Sequence, residues 1–210
     1  NTYCSYVTPE DAQYDVIVPN LKKVNASAIA QARKNKSKRL TQEAWQQAKD
    51  SGQKKIKLSD YTVSTRKIDK TDLVFRVTMY DHVPMDALRK KNPKQEADHH
   101  SKVNFPPFQH FKFDKKGKLV CVGKSHWIGG MENGHFSCEH GKMTNSLAMM
   151  YMKLCERYGT RSNWRGYTYN DEMQSQALMQ LSQIGLQFDE SKSDNPFAYY
   201  TCLLYTSDAA

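Results

Sequence analysis

The segment Phe108–Lys124, FQHFKFDKKGKLVCVGK, decides how the first part of the chain folds. Apolar and polar residues alternate on both sides of Asp114–Gly117, a polar sequence that ends in glycine, a residue that turns favour. Such alternation is typical of strands with one buried face, so the segment predicts a β-hairpin. Glu132–Gly134 is a second turn sequence and predicts another short hairpin.

Upstream of the hairpin, the sequence predicts one long helix and a further strand. Ala26–Lys49 carries apolar residues partly in helical register and is followed by Gly52, a helix stop. Leu73–Tyr80 (LVFRVTMY) is rich in strand-forming residues. Met85–His100 predicts a polar helix or loop. Residues 1–140 are therefore predicted to form an α+β segment with hairpins.

The periodicity of the sequence changes at Lys142. Met143–Gly159, MTNSLAMMYMKLCERYG, begins with cap candidates and ends in glycine. Its apolar residues with helical spacing are Leu147, Met150, Tyr151, Leu154 and Tyr158. A second amphipathic helix is predicted from Asn170 to Phe188, with many glutamines outside its apolar stripe. Residues 143–201 are therefore predicted to be all-α and to form a second compact unit.

The composition bounds the class of protein. The 210 residues are 39% hydrophobic and 25% charged, and their apolar runs fall far short of the roughly 20 residues that span a bilayer, so we expect no membrane contact. The five cysteines are widely spaced, which favours a reducing cytoplasm over a disulfide framework. The formal net charge is +9, and Leu21–Lys57 alone carries eleven basic and two acidic residues. This block predicts attraction to a polyanion such as nucleic acid, or else a solvated helix face.

One group of residues has the side-chain types that zinc prefers. It consists of Cys121, His126, His135, Cys138 and His140. The spacing matches no standard zinc motif, and a small apolar residue would serve equally well in the strand predicted at Cys121. We therefore predict no metal ion and no cofactor.

A second group is similar to the arrangement in HNH nucleases. Tyr80–Pro84 (YDHVP) is followed by Asn92 and by His99-His100. In such nucleases one histidine activates water and the others hold a divalent metal at the scissile phosphate. The spacing to Asn92 is tight, and a structural histidine at a strand end is the simpler interpretation. A metal-dependent nuclease centred on His82 is kept as an alternative hypothesis.

Aromatic and basic residues are interleaved around the second predicted helix. They are Trp164, Tyr167, Tyr169, Phe197, Tyr199 and Tyr200, with Arg161, Arg165 and Lys192. Such a mixture stacks unpaired bases and holds phosphates, although aromatics in a helical pair are more often core residues. Composition alone leaves both interpretations open.

Several short motifs follow one another in this part of the chain. They are Gly166–Thr168, Glu172-Met173, an amphipathic helix, Phe188–Ser193 and Asn195–Thr201. Their order resembles the late-transcription sigma factors of T-even-type bacteriophages, with the marine phage members nearest. The preceding helix also fits, so the resemblance covers about residues 143–201. It implies a sigma region-2-like helical module and a non-enzymatic specificity subunit of RNA polymerase.

The resemblance implies a polymerase-binding helix at Asp171–Gly185. In this family, that helix docks on the clamp helices of the polymerase β′ subunit, which fits a glutamine-rich helix with a polar, weakly charged face. The implied contact residues are Asp171, Glu172, Ser175, Gln176 and Ser182. Gln176 stands where the primary sigma factor has an acid.

The resemblance also implies that the chain holds opened promoter DNA. The implied DNA-binding residues are Trp164, Arg165, Lys192, Phe197, Tyr199 and Tyr200. Phe197 and Tyr200 match aromatics that stack on bases of the non-template strand. The implied function is to direct host RNA polymerase to late promoters in the cytoplasm of an infected bacterium. A nucleic-acid-binding accessory protein without polymerase contact is a further alternative.

The resemblance ends after Thr201. The last nine residues, CLLYTSDAA, are similar to translated sequencing adapter, so we expect residues 202–210 to be non-native. The C-terminal tail through which this family binds the phage DNA sliding clamp would then be missing.

Overall fold

The computed structural model describes residues 3–53, 55–86, 94, 96–137, 139, 142–162 and 164–207. The chain divides into two compact units, the first formed by Asn1–Ser101 and Pro107–Cys138 and the second by Lys102–Pro106 and Glu139–Ala210. It contains both a mixed sheet and helices, so the α+β class is confirmed. Within the described ranges, no helix has the length and apolar character needed to cross a membrane.

A mixed sheet is the centre of the first unit. Its elements are β1 (Cys4–Tyr6), β2 (Val16–Val18), α1 (Ala26–Asp50), β3 (Phe75–Thr78), β4 (Phe108–Phe113) and β5 (Leu119–Ser125). The strand order is β1-β5-β4-β3-β2, with β2 parallel to β3 and the other neighbours antiparallel. The strand predicted at Leu73–Tyr80 is shorter than expected, and β1 and β2 were not predicted.

Both predicted hairpins are present. The first is β4 and β5, whose turn contains Gly117 with a φ of 78°, a left-handed conformation that favours glycine. Asp114 stabilises this turn because its Oδ1 accepts hydrogen bonds from the backbone N–H groups of Lys116 and Lys118. The second hairpin pairs β6 (Trp127–Ile128) with β7 (His135–Phe136).

Helix α1 packs on one face of this sheet. It begins after Asn25, whose side chain accepts a hydrogen bond from the N–H of Ala28, and it ends at Asp50, as the sequence predicted to within a residue. Ala32 is fully buried against the sheet. The core consists of Val18, Ala32, Ile68, Leu73, Phe75, Val77, Phe111 and Phe113.

A polar cluster is buried in the sheet of the first unit. His110 is fully buried; its Nδ1–H donates to the carbonyl of Asp11 at 2.6 Å, and its Nε2 accepts from Nε of Arg76 at 2.9 Å. The guanidinium of Arg76 lies between two rings, 3.8 Å from the centroid of Tyr14 and 3.9 Å from that of Phe108. Burial, and then the neighbouring Arg76 charge, lowers the pKa of His110 to about 4.

The second unit is built from helices. They are α2 (Asn145–Gly159), α3 (Asn170–Ile184) and α4 (Pro196–Ser207). Thr144 caps α2, as predicted, because its hydroxyl accepts a hydrogen bond from the N–H of Leu147. The core consists of Tyr151, Cys155, Tyr158, Trp164, Ala177, Leu181 and Leu204.

Two details of the predicted helices were wrong. Met150, predicted on the apolar face of α2, is 60% exposed, whereas Cys155, which was not predicted there, is buried. Successive residues of a helix are about 100° apart, and Tyr151 and Tyr158 define the inward face, which includes Cys155 and not Met150. Helix α3 ends at Ile184 instead of Phe188. Gly185 follows in a 3-10 turn, where its backbone lies so close to the hydroxyl of Tyr151 that a Cβ would overlap it.

Helix α4 continues through the predicted end of the family motif. It runs from Pro196 to Ser207, and Leu204 is fully buried in the core of the second unit. Tyr205 packs edge-on against Tyr158 at 5.3 Å. Residues 202–207 therefore belong structurally to the helical unit. The non-native origin of residues 202–210 stays a prediction.

Candidate nucleic-acid interface

The connection between α2 and α3 is fixed by buried side chains. Trp164 is 1% exposed, and its ring packs edge-on against Tyr158 at 5.2 Å. The side-chain amide of Asn170 donates to the carbonyls of Gly159 and Trp164, both at 2.9 Å. The prediction that Trp164 binds DNA was therefore wrong, because its ring is enclosed by the core and has no face left for a base.

A groove of 380 Å³ lies between α2 and α4. Its lining residues are Met150, Tyr151, Lys153, Leu154, Arg157, Tyr158, Arg161, Phe197 and Tyr200. Both helices contribute aromatic side chains, and all the charged residues of the lining are basic. The groove thus combines apolar ring surface with positive charge, a combination found in proteins that bind single-stranded nucleic acid.

The basic residues of this groove come from α2 and the residues just after it. Lys153, Arg157 and Arg161 are spaced by four residues, so the first two lie on one face of the helix. The guanidinium of Arg161 lies 4.6 Å from the centroid of the Tyr158 ring and donates to the hydroxyl of Tyr205 at 3.4 Å. Sequence reasoning missed Lys153 and Arg157 as DNA-binding candidates, although their four-residue spacing was visible.

The aromatic residues predicted on α4 have different environments. Phe197 is 60% exposed at the groove. Tyr200 is half-buried, with its ring edge-on to Tyr151 at 5.0 Å. Tyr199 packs against Phe188 and donates its hydroxyl to the carbonyl of Ile184 at 3.1 Å. Phe197 is therefore the predicted residue best placed to stack on a base, whereas Tyr199 has a structural role.

Two hydroxyl groups, that of Tyr151 in the groove and that of Tyr199 next to Tyr200 on α4, stay uncharged at neutral pH. Burial raises the pKa of Tyr151, and burial followed by the proximity of Tyr200 raises the pKa of Tyr199. These side chains therefore add no negative charge to a surface whose charged lining residues are basic.

The two predicted DNA-binding cations lie elsewhere. Arg165 is exposed in the turn before α3, and it does not line the groove. Lys192 is exposed in the segment before α4, with its Nζ 3.5 Å from a carboxylate oxygen of Asp189. The structure does not bring them together with Phe197 and Tyr200.

The predicted polymerase-binding residues share the surface of α3. Asp171, Glu172, Ser175, Gln176 and Ser182 are all exposed. The hydroxyl of Ser175 donates to the backbone carbonyl of Asp171 at 2.8 Å, and the hydroxyl of Ser182 donates to the backbone carbonyl of Met179 at 2.7 Å. Both serines therefore already use their donors within the helix.

An exposed methionine extends this face of α3. Met179 is 53% exposed and lies three residues after Gln176, so it continues the stripe that starts at Glu172. Exposed methionine is enriched at protein interfaces because its flexible side chain adapts to a partner. Sequence reasoning missed this residue, although its spacing from Gln176 was the signal.

The residues of the nuclease hypothesis are held by protein hydrogen bonds. His82 donates from Nε2 to the carbonyl of Ser125 at 2.9 Å and accepts at Nδ1 from the amide of Gln109 at 3.0 Å. Burial is the largest cause of its lowered pKa. His100 donates from Nδ1 to the carbonyl of Val83 at 2.8 Å. Asn92 lies outside the described residues.

The zinc hypothesis is only partly covered by the structure. Cys138 and His140 lie outside the described residues. Cys121 is half-buried and directs its thiol to Gln109 and to the carbonyl of Gly123, while His126 is fully buried. In the described part of the chain, no three histidine, cysteine, aspartate or glutamate side chains are grouped as ligands of one metal ion.

Comparison with protein-family models, with curated proteins and with solved structures gave no match to this chain.

Proposed function

We propose that this protein is a sigma factor of the phage late-transcription type, which binds bacterial core RNA polymerase and directs it to late promoters. The observation that carries the proposal is the groove between α2 and α4, where Phe197 and Tyr200 lie beside the basic residues Arg157 and Arg161. The sequence resemblance implies that Phe197 and Tyr200 bind DNA. In the structure they lie beside two basic residues that the resemblance does not implicate.

The groove fits the unpaired strand of an opened promoter. Stacking on an aromatic ring contributes about 1–3 kcal/mol per base, which is comparable to the stacking lost when a base pair opens. The cations beside the rings would hold the phosphates of the same strand. Binding of this kind involves no covalent chemistry, so the proposed protein is a specificity subunit and not an enzyme.

Helix α3 would supply the polymerase contact. Its exposed surface combines the carboxylates of Asp171 and Glu172 with glutamine and the exposed thioether of Met179. A polar face with an apolar residue inside it is suited to a helix of a partner protein, here the clamp helices of β′. The phage sliding clamp would be bound through a tail that follows the family motif.

Strand binding is tested by fluorescence anisotropy with the full chain and a labelled AT-rich single strand. Phe197→Ala should weaken binding by about 5-fold to 150-fold, corresponding to one lost stacking contact. Tyr169→Ala removes an aromatic side chain of similar exposure outside the groove and should leave the affinity unchanged. Equal affinities of the wild type and Phe197→Ala would contradict the role of the groove.

A nucleic-acid-binding accessory protein would use the same groove without contacting polymerase. The α3 face separates the two functions, because the sigma proposal requires Glu172 for polymerase capture whereas the accessory function does not. Capture of core polymerase by the wild type and by Glu172→Lys therefore distinguishes the two functions.

A further inference from the structure

One end of the sheet in the first unit carries basic side chains that the proposed function does not use. This end consists of the β4–β5 turn and of the 3-10 turns Thr65–Lys67 and Lys70–Asp72, which precede β3. Its cations are Arg66, Lys67, Lys70, Lys115, Lys116 and Lys118. We call this surface the basic end.

The strand register brings these segments together. Phe75, the first residue of β3, pairs with Phe111 of β4, so the residues immediately before β3 lie at the same end of the sheet as the turn after Phe113. Ile68, which follows Thr65–Lys67, is buried in the same core cluster as Phe113. Lys70 joins the two parts, because its Nζ lies 3.7 Å from the centroid of the Phe113 ring. The remaining cations of the basic end are exposed.

Most carboxylates of the basic end are bound to the backbone. Asp114 accepts two backbone N–H groups within its own turn, and Asp69 accepts the N–H and hydroxyl of Thr71. The hydrogen bonds from Thr71 lower the pKa of Asp69. The third carboxylate is Asp72, so the six cations outnumber the acids and the surface is positive.

The long basic block of the sequence is divided by the fold. Lys36 of α1 donates to the carbonyl of Asp72, and Arg39 pairs with the buried carboxylate of Asp15 at 2.9 Å. These two cations stabilise the first unit, whereas most of the other described cations of the block, including Lys34 and Lys38, are exposed.

We propose that the basic end binds the phosphate backbone of double-stranded nucleic acid without reading its sequence. In the described part of the basic end no aromatic side chain is among the exposed large apolar residues, so its chemistry is that of phosphate contacts and not of base stacking. Lysines on turns of neighbouring segments can contact successive phosphates of a duplex. This binding requires neither the polymerase contact nor the groove of the second unit.

The experiment compares two double variants of the full chain that lose equal charge. Lys115→Gln/Lys116→Gln removes two exposed cations from the basic end. Lys22→Gln/Lys23→Gln removes two exposed cations that follow β2. Because β2 is parallel to β3 and the basic end precedes β3, these two lysines lie beyond the opposite end of the sheet. Affinity for a labelled random-sequence duplex is measured by anisotropy over a series of salt concentrations.

The first variant should bind the duplex about tenfold or more weakly. The negative slope of log K against log salt concentration should become less steep by about 2, one for each lost phosphate contact. The second variant should resemble the wild type. Equal effects of the two variants would overturn the proposal, because attraction would then follow net charge alone.

Poly-glutamate is the competitor that separates nucleic acid from an acidic protein partner. Poly-glutamate should displace the labelled duplex only at a concentration of negative charges much higher than that at which an unlabelled duplex does so. Displacement at the same concentration of charge as an unlabelled duplex would overturn the assignment to nucleic acid. Neither outcome depends on polymerase, so failure here is distinguishable from failure of the proposed function.

Discussion

Acidification should destabilise the first unit, and the contribution of one buried histidine, His110, can be isolated by substitution. Its pKa is 6.5 in an unfolded chain and about 4 in the folded one. Between these values the unfolded chain binds a proton that the folded chain does not, so the stability that is fully present above pH 6.5 is lost as the pH falls to about 4.

The magnitude follows from the burial of the ring and from its position beside the Arg76 charge. A proton added to Nε2 would face the N–H of Arg76, which already donates to that atom at 2.9 Å, and the ring has no access to water. One pKa unit corresponds to about 1.4 kcal/mol, so the difference between 6.5 and 4 corresponds to about 3 kcal/mol in the free energy of unfolding.

The assay is hydrogen exchange of the β3 and β4 amides as a function of pH, corrected for intrinsic exchange rates. His110→Gln keeps an acceptor for Arg76 but cannot be protonated, so the difference in unfolding free energy between the wild type and this variant should change by about 3 kcal/mol across the window. His135→Gln, at an exposed position on β7, should follow the wild type. A constant difference between the wild type and His110→Gln would refute the reasoning.

Three further substitutions test the packing and capping described above. Arg39→Ala should destabilise the first unit, by at most about 3–5 kcal/mol, because it removes the ion-pair partner of the buried Asp15 carboxylate, which keeps its hydrogen bond from the N–H of Val74. Lys38→Ala, at the exposed neighbouring position, should change little in the same denaturation experiment. Trp164→Ala should destabilise the second unit by about 3–5 kcal/mol, measured by hydrogen exchange of the α2 amides in a denaturant titration. An unchanged denaturation midpoint would show that the ring is not part of the core. Asn25→Ala should cost about 1 kcal/mol by loss of the α1 cap, and Asn25→Asp should restore most of it in thermal unfolding.

The elements that were predicted from sequence are those with local signals. The β4–β5 hairpin has alternation and a turn with Gly117, and α1 and α2 have caps and periodic apolar residues. Strands β1 and β2 have three residues each, which is too short for a pattern. The parallel pairing of β2 with β3 joins Val16 to Phe75 across a long stretch of chain, so no local sequence feature specifies it.

The candidate site was predicted in part, because residue type alone does not reveal burial. Trp164 and Phe197 are both aromatic and occur in similar polar surroundings in the sequence, yet one is enclosed by Tyr158 and the other is exposed. Lys153 and Arg157 belong to the groove only because α4 packs beside α2, a tertiary arrangement that the helical period does not specify.

The central claim is that the α3 face binds polymerase, and capture of purified bacterial core RNA polymerase by the immobilised full chain tests it most directly. The comparison is between Glu172→Lys and Glu156→Lys, which make the same charge change on exposed positions of α3 and α2. The account predicts that the wild type and Glu156→Lys capture polymerase and that Glu172→Lys does not. Equal capture by both variants, or no capture by the folded wild type, would contradict it.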